Sequence, residues 1–257
     1  MSSAVSWPVA QIRRAVEPAL PGLAVEVLAQ IDSSNSELMR RARDGRMDPV
    51  LLIAQRQTAG RGRMGRQWVS GDGATSSLAF SVGLPLSPSD WSGLSLAVGL
   101  GIVQSLHPDL RLKWPNDIWW HERKLAGILI ETASVGAARY AVVGVGINIG
   151  MRDGTGLATP PAWLQELLPG IDAPAALLRM AAPLMRTIKT FEMHGFAPFR
   201  DGFNERDALH GLEIALSDGT FGIAQGVDDS GALQVRTAVG LTRITSSEIS
   251  VRARHGR

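Results

Sequence analysis

Three glycines, Gly60, Gly62 and Gly65, interleave with three arginines, Arg61, Arg63 and Arg66, around Met64, directly after the apolar run 50–54. A stretch so rich in glycine and charge cannot continue a buried strand, so the chain must turn here and expose backbone N–H groups beside guanidinium forks. That combination suits an anion, in particular a phosphate and a carboxylate held side by side. Taken alone, the loop also reads as a solvated basic turn. Its G-x-G-x-x-G spacing matches the dinucleotide fingerprint, which requires a helix opening at the loop and an acidic residue about 20 positions on. Instead Gln67, Trp68, Val69, Ser70, Gly71, Asp72 and Gly73 read as turn-rich, residues 78–82 then read as a strand, and Asp72 comes too early. A nicotinamide cofactor is therefore not expected.

Residues 24–31 alternate as a strand that stops at Asp32, Ser33, Ser34 and Asn35. Ser34 and Glu37 have capping-box spacing, which predicts a helix from there to about residue 46. Strands are expected at 50–55 and 76–84, and a buried, nearly all-apolar helix at 94–106. Residues 111–113 with 118–120, then 125–132 and 140–149, read as further strands, with His121, Glu122 and Arg123 turning a hairpin. A helix is expected near 174–192, kinked or split by Pro183. After Asn204 short alternating strands follow, marked by Leu212, Ile214, Leu216, Phe221, Ile223, Leu233, Val235, Leu241, Ile249 and Val251, with a hairpin signal at Asp218 and Gly219. The expected organisation is an N-terminal extension over 1–23, an α/β (α+β) mixed-sheet domain over 24–205, and a small β-barrel over 206–257.

The 257 residues, 45% hydrophobic and 19% charged, suffice for one substantial core and a small second module. A formal net charge of +2 argues against a dedicated nucleic-acid binder. The absence of cysteine excludes disulfides, thiolate metal sites and cysteine nucleophiles. With no long apolar run and no signal-peptide pattern at the start, no membrane partner and a cytoplasmic location are expected. The five histidines, His107, His121, His194, His210 and His255, show no ligand spacing. Of 26 basic residues only Lys113, Lys124 and Lys189 are lysines, and two lysines eleven positions apart ask why arginine would not serve.

Four segments, 57–68 (Gln-Thr-Ala-Gly-Arg-Gly-Arg-Met-Gly-Arg-Gln-Trp), 113–117 (Lys-Trp-Pro-Asn-Asp), 124–131 (Lys-Leu-Ala-Gly-Ile-Leu-Ile-Glu) and 143–148 (Val-Gly-Val-Gly-Ile-Asn), together resemble the signature series of biotin protein ligases. The resemblance runs from about residue 24 into the last segment, where 221–228 looks like that family's C-terminal domain. It implies a catalytic domain related to class II aminoacyl-tRNA synthetases and a small barrel of the Src-homology-3 type. It also implies two-step chemistry. Biotin and ATP give biotinyl-adenylate with Mg²⁺ and release of pyrophosphate, and the adenylate then acylates a lysine of a biotin carboxyl carrier protein.

By the same resemblance Ser33, Ser34, Gln57, Gly60, Arg61, Arg63, Lys124 and Gly127 would receive biotin, with a helix-cap role for Ser33 and Ser34 as the competing reading, compatible with the first. Arg61, Arg63, Arg66, Trp68, Lys113, Asn116 and Asn148 would receive ATP, Asn148 at the adenine. Trp68 reads either as an adenine neighbour or as core, and Lys113 either contacts phosphate or ends a strand. Lys124, Arg63 and Asp117 are the expected catalytic groups, Asp117 assisting Mg²⁺ or orienting the attacking amine. Residues 1–23 are too few for the winged-helix domain of some relatives, so a monofunctional ligase without operator binding is expected. Met64 departs from the basic residue that some relatives carry. A lipoate-type ligase and a non-catalytic biotin or nucleotide sensor are the alternatives, and monomer and homodimer both stay open.

Overall fold

The computed structural model describes residues 5–69, 76–136, 138–155, 159–245 and 251–253. In chain order its elements are α1 (Val9–Val16), β1 (Ala24–Leu28), α2 (Ser34–Arg43), β2 (Val50–Ala54), the short pair β3 (Gly60–Arg61) and β4 (Gln67–Trp68), β5 (Ser77–Pro85), α3 (Leu94–Leu106), β6 (Arg111–Lys113), β7 (Asp117–Trp120), β8 (Arg123–Val135), β9 (Ala138–Asn148), α4 (Ala173–His194) and α5 (Arg200–Asn204). They are followed by β10 (Glu213–Leu216), β11 (Phe221–Val227), β12 (Leu233–Thr237), β13 (Gly240–Ile244) and β14 (Val251–Ala253).

Seven strands form one sheet in the order β1-β2-β5-β9-β8-β7-β6. β1 and β2 are parallel because α2 crosses over between them, and every other neighbour is antiparallel. Strand alternation divides the core between the two faces. Leu51, Ile53, Ala141, Val143 and Val145 join the large cluster with α1, α3 and α4, whereas Val50, Leu52, Tyr140 and Val142 pack with Leu38, Met39 and Ala42 of α2. Continuing along β9 on the α2 face, the next two positions are Gly144 and Gly146. A Cβ at Gly144 would lie 2.0 Å from Asn35 Oδ1 and one at Gly146 2.5 Å from the Trp68 indole, so these glycines are the floor on which both side chains rest. The C-terminal strands form a separate antiparallel sheet in the order β13-β12-β11-β10-β14.

Several local expectations are corrected. Ser33, not Ser34, caps α2, its Oγ accepting from Ser36 N–H at 3.4 Å. Ser34 is the first helical residue, and Glu37, which the capping box needed, is held by Arg40 and Arg41. α2 also ends at Arg43, short of residue 46. α4 is not split at Pro183 but runs as one 22-residue helix, packed on α3, with Ala181, Leu184 and Met185 of its buried stripe in the main core. Residues 9–16 are a helix that buries Ile12 and Val16 against α4, an element the reading of 1–23 as an extension did not contain. The turn-rich stretch at Ser70, Gly71, Asp72 and Gly73, and the strand residue Ile249, lie outside the described residues.

Candidate active site

The glycine-arginine loop is the tip of a narrow hairpin. Gly60 pairs with Trp68 and Arg61 with Gln67, Gly62 N–H donates to Arg66 C=O at 2.7 Å, and residues 63–65 make a single tight turn. The turn takes left-handed backbone at Met64 (φ 56°) and Gly65 (φ 71°). Glycine meets that demand at no cost, while Met64 meets it with strain and projects its side chain outward. At Gly60 a Cβ would lie 2.3 Å from Trp68 C=O, so only glycine lets the two strands approach. Arg61, Arg63 and Arg66 are thereby carried over the glycine floor of β9, where all three line one cavity together with Trp68.

One end of the cavity is a buried polar network at the start of α2. Ser34 N–H and Oγ donate to Gln57 Oε1 at 2.7 and 3.1 Å, and Ser81 Oγ lies 2.7 Å from Ser34 Oγ and 2.6 Å from Asn35 Oδ1. Asn35 Nδ2 donates to Leu129 C=O at 3.3 Å and to Glu131 Oε2 at 3.0 Å. Ser33, Ser34, Asn35 and Ser81 are all buried. Burying this many polar groups is tolerable only because each is paired, and the pairing fixes their directions for a planar polar ligand group.

The other end is cationic. Lys124 Nζ lies 2.6 Å from Asp117 Oδ1, Arg61 Nη2 lies 3.0 Å from Glu131 Oε1, and Arg63 Nη1 donates to Asn116 Oδ1 at 2.8 Å. Asn116 in turn donates to Ile128 C=O at 2.8 Å, which fixes its oxygen toward Arg63. Lys113 Nζ donates to Val251 C=O at 2.8 Å and sits over the Trp119 ring, 4.9 Å from its centroid. Burial holds the Lys113 ammonium below its ordinary value, opposed by Asp117 and reinforced by Lys124, Arg66 and Arg63. Burial likewise lowers the Arg63 guanidinium. A cluster of cations partly stripped of water is poised to gain from a polyanion.

How Lys124 reaches this cavity is a matter of register. Asp117 faces Gly127 and Ile118 faces Ala126, but Trp119 faces Lys124, so Leu125 is an extra residue in β8. At this bulge the adjacent Leu125 and Ala126 both turn into the core, which leaves Lys124 on the cavity face with Gly127. Plain alternation back from Gly127 would have pointed Lys124 the other way.

Of the residues expected from sequence, Ser33, Ser34, Gln57, Arg61, Arg63, Arg66, Trp68, Lys113, Asn116, Asp117, Lys124 and Gly127 line the cavity together. Gly60 lies behind it in the hairpin. Asn148, expected at an adenine, is not in the lining. Its Nδ2 donates to Lys124 C=O at 3.2 Å and Ala162 C=O at 2.9 Å, and its Oδ1 accepts from Arg152 at 2.9 Å. The geometry gives it a supporting place behind Lys124. Asn35, Ser81 and Glu131 were not anticipated as site residues, although Ser81 carries a signal, a buried hydroxyl in mid-strand among residues that are, Ser77 apart, apolar. Val251, from the C-terminal sheet, also lines the cavity, something no local pattern could announce. Among the described residues no group of three or more His, Asp or Glu side chains could hold a metal ion, and no helix is long and apolar enough to cross a membrane.

Residues 29–148 match the model of the Biotin/lipoate A/B protein ligase family, and residues 213–252 match that of the Biotin protein ligase C terminal domain. The biotin--[acetyl-CoA-carboxylase] ligase of Paracoccus denitrificans is 35% identical over 237 residues, covering 87% of this chain and 98% of its own. The bifunctional ligase/repressor BirA of Escherichia coli is 34% identical over 244 residues, covering 91% of this chain and 76% of its own. Among solved structures, the biotin protein ligase from Aquifex aeolicus in complex with biotin and ATP superposes with a TM-score of 0.76 at 28% identity, over 90% of this chain and 99% of that one.

Proposed function

The chain belongs to the biotin/lipoate A/B protein ligase family, and from that premise we propose that it activates biotin with ATP and transfers it to a lysine of a carrier protein. The observation that carries the assignment to this cavity is the delivery of Lys124, on the β8 bulge and 2.6 Å from Asp117, to the same space as the buried Ser34–Gln57–Ser81 network.

The network at the start of α2 would take the ureido group of biotin, whose donors and acceptor match buried amide and hydroxyl partners. So bound, biotin would direct its carboxylate toward Arg61, Arg63 and Lys124. In the first step a carboxylate oxygen forms a bond to the α-phosphorus of ATP as the bond from that phosphorus to the pyrophosphate oxygen breaks. Both partners are anionic, so the protein's contribution is cations held in place beforehand. Arg61, Arg63 and Lys124 would bracket the carboxylate and α-phosphate, and Lys113 and Arg66 the leaving pyrophosphate. In the second step the carrier lysine amine attacks the acyl carbon and AMP leaves. That amine must first lose a proton, its ordinary pKa being about 10.4, and Asp117 would orient it. Mg²⁺, when bound, would neutralise charge on the phosphates, with Asp117 the carboxylate that would help hold it.

The test is incubation with ATP, Mg²⁺, a biotin carrier domain and either biotin or lipoate, followed by mass measurement of the carrier. A gain of one biotinyl group, and none with lipoate, is expected. A gain with lipoate alone would replace the proposal by lipoate ligation, and no gain with either would leave a ligand sensor.

A further inference from the structure

The β8–β9 ladder ends at Ala126 and Ile147, so Lys124 lies beyond it and has no backbone partner from β9, only the Asn148 side-chain amide on its C=O. Residues 160–162 fill that place. Lys124 N–H donates to Pro160 C=O at 3.0 Å, Ala162 N–H donates to Lys124 C=O at 2.9 Å, and the pair forms a parallel bridge to Pro161. With prolines at 160 and 161, this segment can donate little to the sheet and needs another anchor.

Arg123 supplies it. Its Nη1 and Nη2 donate to Glu166 Oε1 and Oε2 at 3.1 and 2.7 Å, and Glu166 Oε1 also accepts from Trp163 N–H at 3.1 Å. The guanidinium lies near two indoles, 5.0 Å from the Trp120 ring centroid and 5.6 Å from the Trp163 ring centroid. An exposed ion pair contributes little, but a forked, half-buried pair with two indoles close to its guanidinium is held in place.

We propose that Arg123 and Glu166 are positioning residues that clamp residues 160–166 onto the β8 bulge and so hold Lys124 on its aim. This rests on the ligase reading, in which Lys124 stabilises charge that develops during adenylation. The clamp touches neither reactant. Its loss misdirects Lys124 by a fraction of an ångström to an ångström and slows the chemical step, leaving substrate binding almost unchanged.

The experiment measures biotin-dependent pyrophosphate release by the full chain, together with amide exchange at Lys124 and Ala162. Arg123→Ala is expected to lower kcat by about 10- to 100-fold with KM for biotin within roughly threefold, and Arg123→Lys, which keeps the charge but not the fork, to recover part of that loss. Exchange at the Lys124 and Ala162 amides should accelerate by at least about tenfold while Val143 and Val145 in the sheet interior stay as they were. A folded Arg123→Ala protein with kcat within twofold of the parent, or with unchanged exchange at both bridge amides, overturns the clamp. Should that variant not fold, Glu166→Gln, which keeps the shape and removes the charge, decides by the same readings. If the parent chain releases no pyrophosphate with biotin, the ligase reading fails by itself, and the exchange rates still decide the clamp.

Discussion

Lys124 and Asp207 show how much one side chain's surroundings determine. Lys124→Ala removes a cation placed where negative charge gathers, so adenylate formation should fall by about 10²- to 10³-fold, or roughly 3–4 kcal/mol, while the fold persists. Pyrophosphate release unchanged in a folded variant would move the role elsewhere. Asp207 is instructive for stability. One of its oxygens, Oδ2, is buried without a hydrogen-bond partner among the described residues, and burial pushes its carboxyl from 3.8 up to about 6. A carboxyl that holds its proton more tightly when folded stabilises the native state fully below pH 3.8, and that contribution is lost as pH rises through 6. Asp207→Asn keeps the acceptor for Leu209 N–H and has no charge to bury. Relative to the parent, the variant should therefore gain up to about 3 kcal/mol between pH 4 and pH 8 in urea unfolding. A stability difference that is flat across that range would contradict the burial cause.

At the scale of elements, β9 is shaped by what it lacks. Gly144→Ala would push a methyl into the Asn35 amide and break its contact with Ser81. The expected result is a loss of about 1–3 kcal/mol in unfolding and at least about tenfold weaker biotin binding by calorimetry. Wild-type affinity in that variant would remove the polar network from the biotin site. Much of this architecture was legible in advance. The continuous apolar run of β2, the β-like run of β9, the apolar character of α3 and the turn after Trp120 are local signals, and each produced the element expected of it. What escaped depended on packing at a distance. α1 has a short amphipathic pattern that is stabilised only by packing on α4 and β1, and α4 continues through Pro183 within the main core. The cap of α2 differs by one residue, because arginines of the same helix claim Glu37. The signature segments named ten residues that line the cavity, and the turn before α2 named Ser33 and Ser34, but Leu125, whose insertion turns Lys124 inward, looks like any leucine in a strand.

Across the whole molecule, the two sheets meet at Lys113 and Trp114. Trp114 Nε1 donates to Gly231 C=O at 3.1 Å, and the neighbouring Lys113 Nζ donates to Val251 C=O at 2.8 Å. The C-terminal sheet thus holds one of the cavity's cations in addition to covering apolar surface. Trp114→Phe removes the buried donor and leaves a carbonyl unpaired, which should cost about 1–3 kcal/mol and separate the unfolding of the two sheets in urea. An unchanged midpoint with coincident transitions by two probes would show that the bond does not join them. The carboxylates already resting on Arg61 and Lys124 have a further consequence. An anion arriving here displaces Glu131 or Asp117 from its incumbent partner, so binding is an exchange of one ion pair for another and not the capture of bare charge. Solitary small anions gain little from such a trade, whereas a ligand presenting several negative oxygens at once can outbid both incumbents. Selectivity for the correct reactants then comes from competition inside the protein, and association should depend on salt less steeply than a cleft lined with unopposed cations would require.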